Sequence, residues 1–251
     1  MNKYFTVVAS LLVCSVSAWG QGGGASQNTV CRIFFTTPKA GSVTQLEEAR
    51  KKHFQFHRQH ADTWSWVTYQ IETGEHTGTY VTSTCGHNWK DFDDWERKMG
   101  KEDAADAAAG MGPFSEKTWN SFYTWRGDLS RATPGGEPAP MLAVTIFHLK
   151  PGTVATFEGA IKKVDAALDK AGRPKTSSWL ELSNGGEGPE FVVTNARQGF
   201  AEFAPQAKTL AELLTENGEN GQEVMRTISD SIAGQWSEAA VYRPDLSYMG
   251  K

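Results

Sequence analysis

Cysteine is scarce in this sequence, positive charge is not in excess, and long apolar runs are missing beyond the N-terminus. Three cysteines occur in 251 residues, so at most one intrachain disulfide can form. Lys and Arg number 25 against 29 Asp and Glu, a formal charge of -4. That balance gives no support for nucleic-acid or anionic-membrane binding, which need clustered cations. Beyond Val16 no stretch is long and apolar enough to span a bilayer. No Gly-x-Ser-x-Gly elbow is present, and Gly22-Gly23-Gly24 and Gly185-Gly186 lack the strand and helix setting of a phosphate loop. The acidic residues are scattered, with no glycosidase pair. Aromatic residues, by contrast, are plentiful: nine Trp and 13 Phe. Most should be core, and some can line a pocket for a flat apolar ligand.

The N-terminus has the form of an export signal. Lys3 supplies positive charge, Tyr4 to Val16 is apolar, and Val16-Ser17-Ala18 fits a small-residue cleavage site. Residues 1–20 are therefore set aside as a signal peptide, and Cys14 leaves with it. Leu11-Leu12-Val13-Cys14 is a poor lipoprotein box because Val13 stands where a small residue is wanted. Residues 21–28, rich in glycine, read as a flexible mature N-terminus. The expected location is periplasmic or secreted. Cys31 and Cys85 remain, and an oxidising compartment favours a disulfide between them over two buried thiols.

The order of elements repeats. Strands are expected at 31–36, 63–71, 78–84 and 121–129, with helices over Gly41–His60 and from Asn88 through Lys98, the Ala-rich 101–112 extending the second. After a Pro/Gly-rich linker (132–140) the pattern returns. Strands are expected at 142–149, 177–182, 191–195 and 236–242, and helices at 154–168 and within 200–232. Ile33-Phe34 matches Ile146-Phe147, Ser65-Trp66 matches Ser178-Trp179, and Tyr80-Val81 matches Phe191-Val192. Trp89-x-x-Phe92 matches Phe200-x-x-Phe203, and Trp125-Arg126-Gly127-Asp128-Leu129-Ser130 matches Tyr242-Arg243-Pro244-Asp245-Leu246-Ser247. Five matches in order, offset by 111 to 117 residues, argue for internal duplication. The repeats are expected at 29–131 and 141–251.

Each half reads β-α-β-β-α-β, the ferredoxin-like arrangement. With the Lys150-Pro151-Gly152 helix start and its looser counterpart Pro38-Lys39-Ala40-Gly41, the chain resembles the dimeric α/β-barrel superfamily, here as a tandem duplication. The fold that the resemblance implies is α+β: two tandem ferredoxin-like repeats whose antiparallel sheets pack as one intrachain barrel. First and third strands are then antiparallel neighbours. That places Cys31 and Cys85 at the same end of adjacent strands.

The two first helices differ at the positions that should face their sheets. Aligned on Gly41 and Gly152, Val43 falls on Val154 and Leu46 on Phe157, but Arg50 falls on Ile161, His53 on Val164 and His57 on Leu168. Cations and imidazoles cannot be buried there without partners, water or a cavity. Ligand cavities in this superfamily commonly lie between helices and sheet. Arg50, His53, His57 and Trp66 are therefore the candidate ligand-binding residues, with His53 or His57 as a proton shuttle and Arg50 as an oxyanion holder. A helix rotated by about 100° would instead put Arg50 and His57 in water. His53 and His57 at i and i+4 could also chelate zinc or copper, but the sequence shows no third ligand, and nothing singles out an axial histidine for haem. No metal and no cofactor is expected.

Three functions fit these residues. The first is an exported small-molecule-binding protein. The second is a cofactor-independent monooxygenase-like or isomerase-like enzyme for a small aromatic or quinoid substrate. The third is a structural exported protein without ligand.

Overall fold

A computed structural model describes residues 29–132 and 136–250. The expected signal peptide (1–20), residues 21–28 and part of the expected linker (133–135) lie outside the described residues. In the first half, β1 (Val30–Pro38) leads to α1 (Val43–Gln59), the hairpin β2 (Val67–Ile71) and β3 (Tyr80–His87), a long helical stretch and β4 (Ser115–Trp125). The helical stretch is α2 (Trp89–Trp95), a π turn over Glu96–Gly100, and α3 (Lys101–Gly110). In the second half, β5 (Met141–Leu149) precedes α4 (Val154–Lys170), β6 (Ser177–Asn184), β7 (Glu190–Arg197), α5 (Leu210–Glu216), α6 (Gly221–Ser231) and β8 (Ile232–Tyr242).

All eight strands join in one closed antiparallel barrel, in the order β1-β3-β2-β8-β5-β7-β6-β4. The first four strands run β4-β1-β3-β2 and the last four β8-β5-β7-β6, the same internal order. Closure comes from β2 on β8, with Tyr69 opposite Tyr242, and from β4 on β6. A closed sheet leaves no open edge to pair with another chain.

Both first helices begin at a glycine in the left-handed region, Gly41 (φ 74°) and Gly152 (φ 83°). A side chain is strained in that conformation. Ser42 follows as the N-cap of α1, as the sequence suggests. Helix α4 buries Phe157, Ala160, Ile161, Val164 and Ala167 in a core shared with Leu149, Trp179, Phe191, Leu213 and Val224. Each fully buried large apolar side chain there contributes roughly 1.5–3 kcal/mol. Helix α1 buries the corresponding stripe of Leu46, Ala49, Arg50, His53 and His57. The internal alignment thus pairs buried positions at Leu46, Arg50 and His53, the counterpart of His57, Leu168, being partly buried, and the rotated alternative does not occur.

The Arg-x-Asp corners form cross-links between the halves. Arg126, just after β4, holds Asp128 through Nε (2.9 Å) and Nη2 (3.0 Å) and reaches Glu158 on α4 and Glu181 on β6 through Nη1. Arg243, just after β8, holds Asp245 in the same way and reaches Glu47 on α1 (2.7 Å) and Gln70 on β2 (2.6 Å). The closing corner of each half therefore grips the helix of the other. The tripeptide Arg126-Gly127-Asp128 is part of this frame.

Several boundaries differ from the expected ones. Regular pairing in the second strand starts at Val67 rather than residue 63, because the Trp64 N–H is taken by Asp62 and Trp66 makes a single bridge to Tyr248. The fourth strand starts at Ser115 and stops at Trp125, where the arginine corner turns the chain. Trp89 is half exposed rather than packed with Phe92 and Trp95 in the core. His76, between β2 and β3, pairs with Glu238 at 2.5 Å while keeping part of its ring exposed.

Cys31 and Cys85 form the expected disulfide, with sequence separation 54, across antiparallel neighbours β1 and β3. Closing that loop stabilises the fold by about 4 kcal/mol on the chain-entropy argument. Reduction under native conditions should lower the denaturation free energy by an amount of that order, read from urea curves with and without reductant. A second prediction concerns pH. Burial pushes the Asp165 carboxyl on α4 up to about 7, with Arg131 opposing the shift and Asp169 adding to it. The unfolded chain ionises this group near pH 4, so stability should fall as pH rises from there through about 7. Asp165→Asn should flatten that decline, on the order of 1 kcal/mol once solvent screening is allowed for, measurable as a pH series of melting temperatures.

Candidate functional site

The polar stripe of α1 faces three carboxylates. His53 and His57 are one helical turn apart and so project from the same face. Both are buried, at 7% and 2% exposure. Helix α3 packs across them, its alanines allowing close approach, and carries Asp103 and Asp106 at i and i+3. The chain leaving α1 bends back to place Asp62 under His57.

Asp62 is 3% exposed and well supplied with donors. Its Oδ2 lies 2.8 Å from His57 Nδ1 and accepts the indole N–H of Trp66 at 2.9 Å. Its Oδ1 accepts the Trp64 backbone N–H at 3.1 Å and, more distantly, the Trp95 indole at 3.4 Å. Tyr248 donates to its backbone carbonyl at 2.7 Å. Burial alone would raise this carboxyl's pKa, but the bonds from His57, Trp66 and Trp64 hold it below the usual range.

On the other imidazole, His53 Nδ1 lies 2.7 Å from Asp106 Oδ2. The two Nε2 atoms are 3.2 Å apart. Asp103 Oδ1 lies 3.3 Å from His53 Nε2 and 3.2 Å from His57 Nε2. That oxygen is buried and has no hydrogen-bond donor. Two imidazole nitrogens and one carboxylate oxygen thus converge, and these are the side chains with the right chemistry to hold a metal ion. The environment also splits the two histidines. Burial depresses the pKa of His53, against the pull of Asp106 and Asp103. Burial acts the same way on His57, but the nearby carboxylate of Asp103 and the bond to Asp62 prevail and raise its pKa. Neighbouring titratable groups pushed in opposite directions are suited to acid–base work.

Arg50, one turn before His53, is 4% exposed. Its Nη1 donates to Thr82 Oγ1 at 2.5 Å, its guanidinium lies 5.4 Å from the centre of the Tyr80 ring, and its Nε has no partner. Burial lowers its pKa to about 10, so it remains a cation. Among the described residues no carboxylate forms an ion pair with it.

A cavity of about 560 Å³ opens between α1 and α3. Its wall includes His53, Asp106, Glu48, Lys52, Ala109 and Phe114. Of the four ligand candidates, His53 lines it, while Arg50, His57 and Trp66 stand behind the wall. Trp66 acts on the site through Asp62. His60 lies outside the cluster, bonded to the Phe56 carbonyl at 2.9 Å. Sequence reading missed Asp103 and Asp106 and passed over Asp62. The available signal was an i, i+3 aspartate pair in an alanine-rich helix, which places two carboxylates on one face that can approach a neighbour closely.

The closed eight-stranded barrel with helices outside each four-stranded set fits one group of known structures. The chain has the dimeric α/β-barrel fold. A candidate monooxygenase from Lactobacillus acidophilus superposes with a TM-score of 0.58 at 11% identity, covering 89% of this chain and 97% of that one. An anthrone oxidase-like protein gives 0.56 at 15% identity, covering 86% and 91%. A candidate chlorite dismutase gives 0.52 at 11% identity, covering 87% and 96%. No protein-family model matches the sequence, and no curated protein matches it either. Among the described residues, neither helix-covered space of this barrel suits haem. The space beside α4 is filled by Phe157, Trp179 and Phe191, and beside α1 the two Nε2 atoms point at each other rather than into a flat apolar slot.

Removing the Asp62 carboxylate would strand His57 and two indole N–H groups. Asp62→Ala should cost about 3 to 5 kcal/mol, measured by chemical denaturation with the disulfide intact.

Proposed function

We propose that this is an exported protein that binds a small molecule in the α1–α3 cavity of its first half. The halves are read as tandem copies of one β-α-β-β-α-β unit (29–131 and 141–251, joined by 132–140), with the second copy packed solid and the first adapted for a ligand. The observation that carries this reading is the cavity itself, about 560 Å³, opening onto His53 and Asp106 at the edge of a buried His/Asp network. That volume suits a compact ligand of one or two rings. The Cys31–Cys85 disulfide is compatible with an oxidising compartment, and no described helix is long and apolar enough to cross a membrane.

A second reading, catalysis on a small aromatic or quinoid molecule without an organic cofactor, is favoured by one observation. His57 is backed by Asp62 as a base is backed by its orienting carboxylate. His53 faces the cavity and would exchange the proton with the ligand, while Asp106 fixes its ring. The monooxygenase and oxidase descriptions of the structural neighbours agree with this reading only at the level of fold.

Menadione is a suitable probe, being a two-ring quinone. Its titration should shift the amide resonances of Lys52, His53, Asp106 and Gly110 saturably. His53→Val, which copies Val164, should weaken binding at least tenfold while leaving the far-UV spectrum unchanged. Unshifted α1 and α3 resonances at millimolar menadione, and with catechol as a second probe, would rule the cavity out as a site for such ligands.

A further inference from the structure

The geometry points to a mononuclear metal centre formed by His53 Nε2, His57 Nε2 and Asp103 Oδ1, with a divalent first-row transition ion as its occupant. This goes beyond the small-molecule reading and would stand if no organic ligand entered the cavity.

Three independent features converge. The first is spacing. The three donor atoms form a triangle with sides of 3.2, 3.2 and 3.3 Å. An ion with bonds of about 2.0–2.1 Å to nitrogen and oxygen in tetrahedral geometry has ligand-to-ligand edges of roughly 3.3 Å. The triangle is therefore one face of such a polyhedron, leaving at least one further position for water or substrate.

The second feature is protonation. Each imidazole has a carboxylate at its Nδ1: Asp62 at 2.8 Å for His57 and Asp106 at 2.7 Å for His53. A carboxylate there accepts a hydrogen bond from Nδ1–H, so an imidazole that is neutral presents a bare Nε2 to the centre. Three lone pairs then face one another, a repulsive arrangement that a cation relieves. The same pattern, with histidine ligands oriented by outer carboxylates, is what tunes metal-bound histidine elsewhere. The outer carboxylate of His57 is itself fixed by Trp66 and Trp64.

The third feature is the orphaned oxygen. Asp103 Oδ1 is buried without any hydrogen-bond donor, and a bare carboxylate oxygen in that state lacks the partner that burial demands. A metal ion supplies it.

The donor set selects the class of ion. Two imidazoles and one carboxylate suit zinc, iron(II), cobalt, nickel or copper(II), whereas calcium and magnesium take oxygen shells. His53 and Asp106 also form cavity wall, so one ligand of the centre and its outer carboxylate border the cavity. The second half provides a built-in control, since Ile161, Val164 and Leu168 replace Arg50, His53 and His57 there and have no donor atoms.

Cobalt(II) titration of the chelator-treated, disulfide-intact protein provides the test, read by the visible d–d bands of low-coordinate cobalt. One equivalent should bind, zinc should displace it stoichiometrically, and zinc should raise the melting temperature. Asp103→Asn, nearly isosteric, should weaken binding at least 100-fold. Asp106→Asn, which alters only the outer shell, should weaken it about 10- to 100-fold. His53→Val should abolish the bands. Absence of saturable cobalt or zinc binding by the unmodified protein would overturn the assignment. So would bands that survive both Asp103→Asn and His53→Val, because the ion would then lie elsewhere. Metal binding without menadione shifts would refute only the organic-ligand reading, and menadione shifts without metal binding would refute only the metal centre.

Discussion

The buried carboxylate of Asp62 is the interaction on which the first half depends. Ionised carboxylates are costly to remove from water, and this one is tolerated because several donors surround it. Those donors come from separate parts of the chain: His57 from α1, Trp64 and Trp66 from the approach to β2, and Trp95 from α2. One side chain thus fixes the relative placement of two helices and a strand. It also fixes the ring of His57, and through it the direction in which Nε2 points toward His53 and Asp103.

The cost of this arrangement is visible in the packing. Around α4 a single apolar cluster extends from Leu129 to Ile228. Around α1 the apolar residues divide into smaller groups, one of Phe54, Trp66, Trp95, Met99 and Tyr248 and another of Leu46, Tyr80 and Leu246. The Arg50–His53–His57 stripe runs between them. Aromatic rings compensate, since indoles and phenols bury large apolar area and still offer a polar tip. The Cys31–Cys85 bridge and the Arg243–Glu47 contact add support to the half whose core is interrupted.

Much of the fold was legible because the order of strands is the same in both halves. The offset matches between Ser65-Trp66 and Ser178-Trp179, and between the two arginine corners, fix the order of elements without any structure. The pairing of Cys31 with Cys85 follows from strand adjacency. The α1 stripe was also legible, since Ile161, Val164 and Leu168 identify which positions face the sheet. What was not legible is what meets that stripe. Asp103 and Asp106 lie in a segment whose composition indicates only helix, and their partners are about 50 residues away in sequence, a juxtaposition set by how α3 crosses α1. Trp66 was a candidate ligand-binding ring, although its counterpart Trp179 spoke for a structural role, and its indole N–H is committed to Asp62. Local pattern cannot reveal that commitment.

The C-terminal segment bears on how the molecule is made. Ser247 Oγ accepts the backbone N–H of Thr68, Tyr248 bonds the Asp62 carbonyl, and Gly250 donates to Ser65. The residues that finish the first half's site are thus synthesised long after the segment they enclose. During translation the Asp62 carboxylate and the two imidazoles stay incompletely enclosed until Tyr248, 186 residues after Asp62, has been made. The site is therefore coupled to completion of the barrel, and a chain interrupted anywhere in its second half carries the functional side chains without the enclosure that organises them.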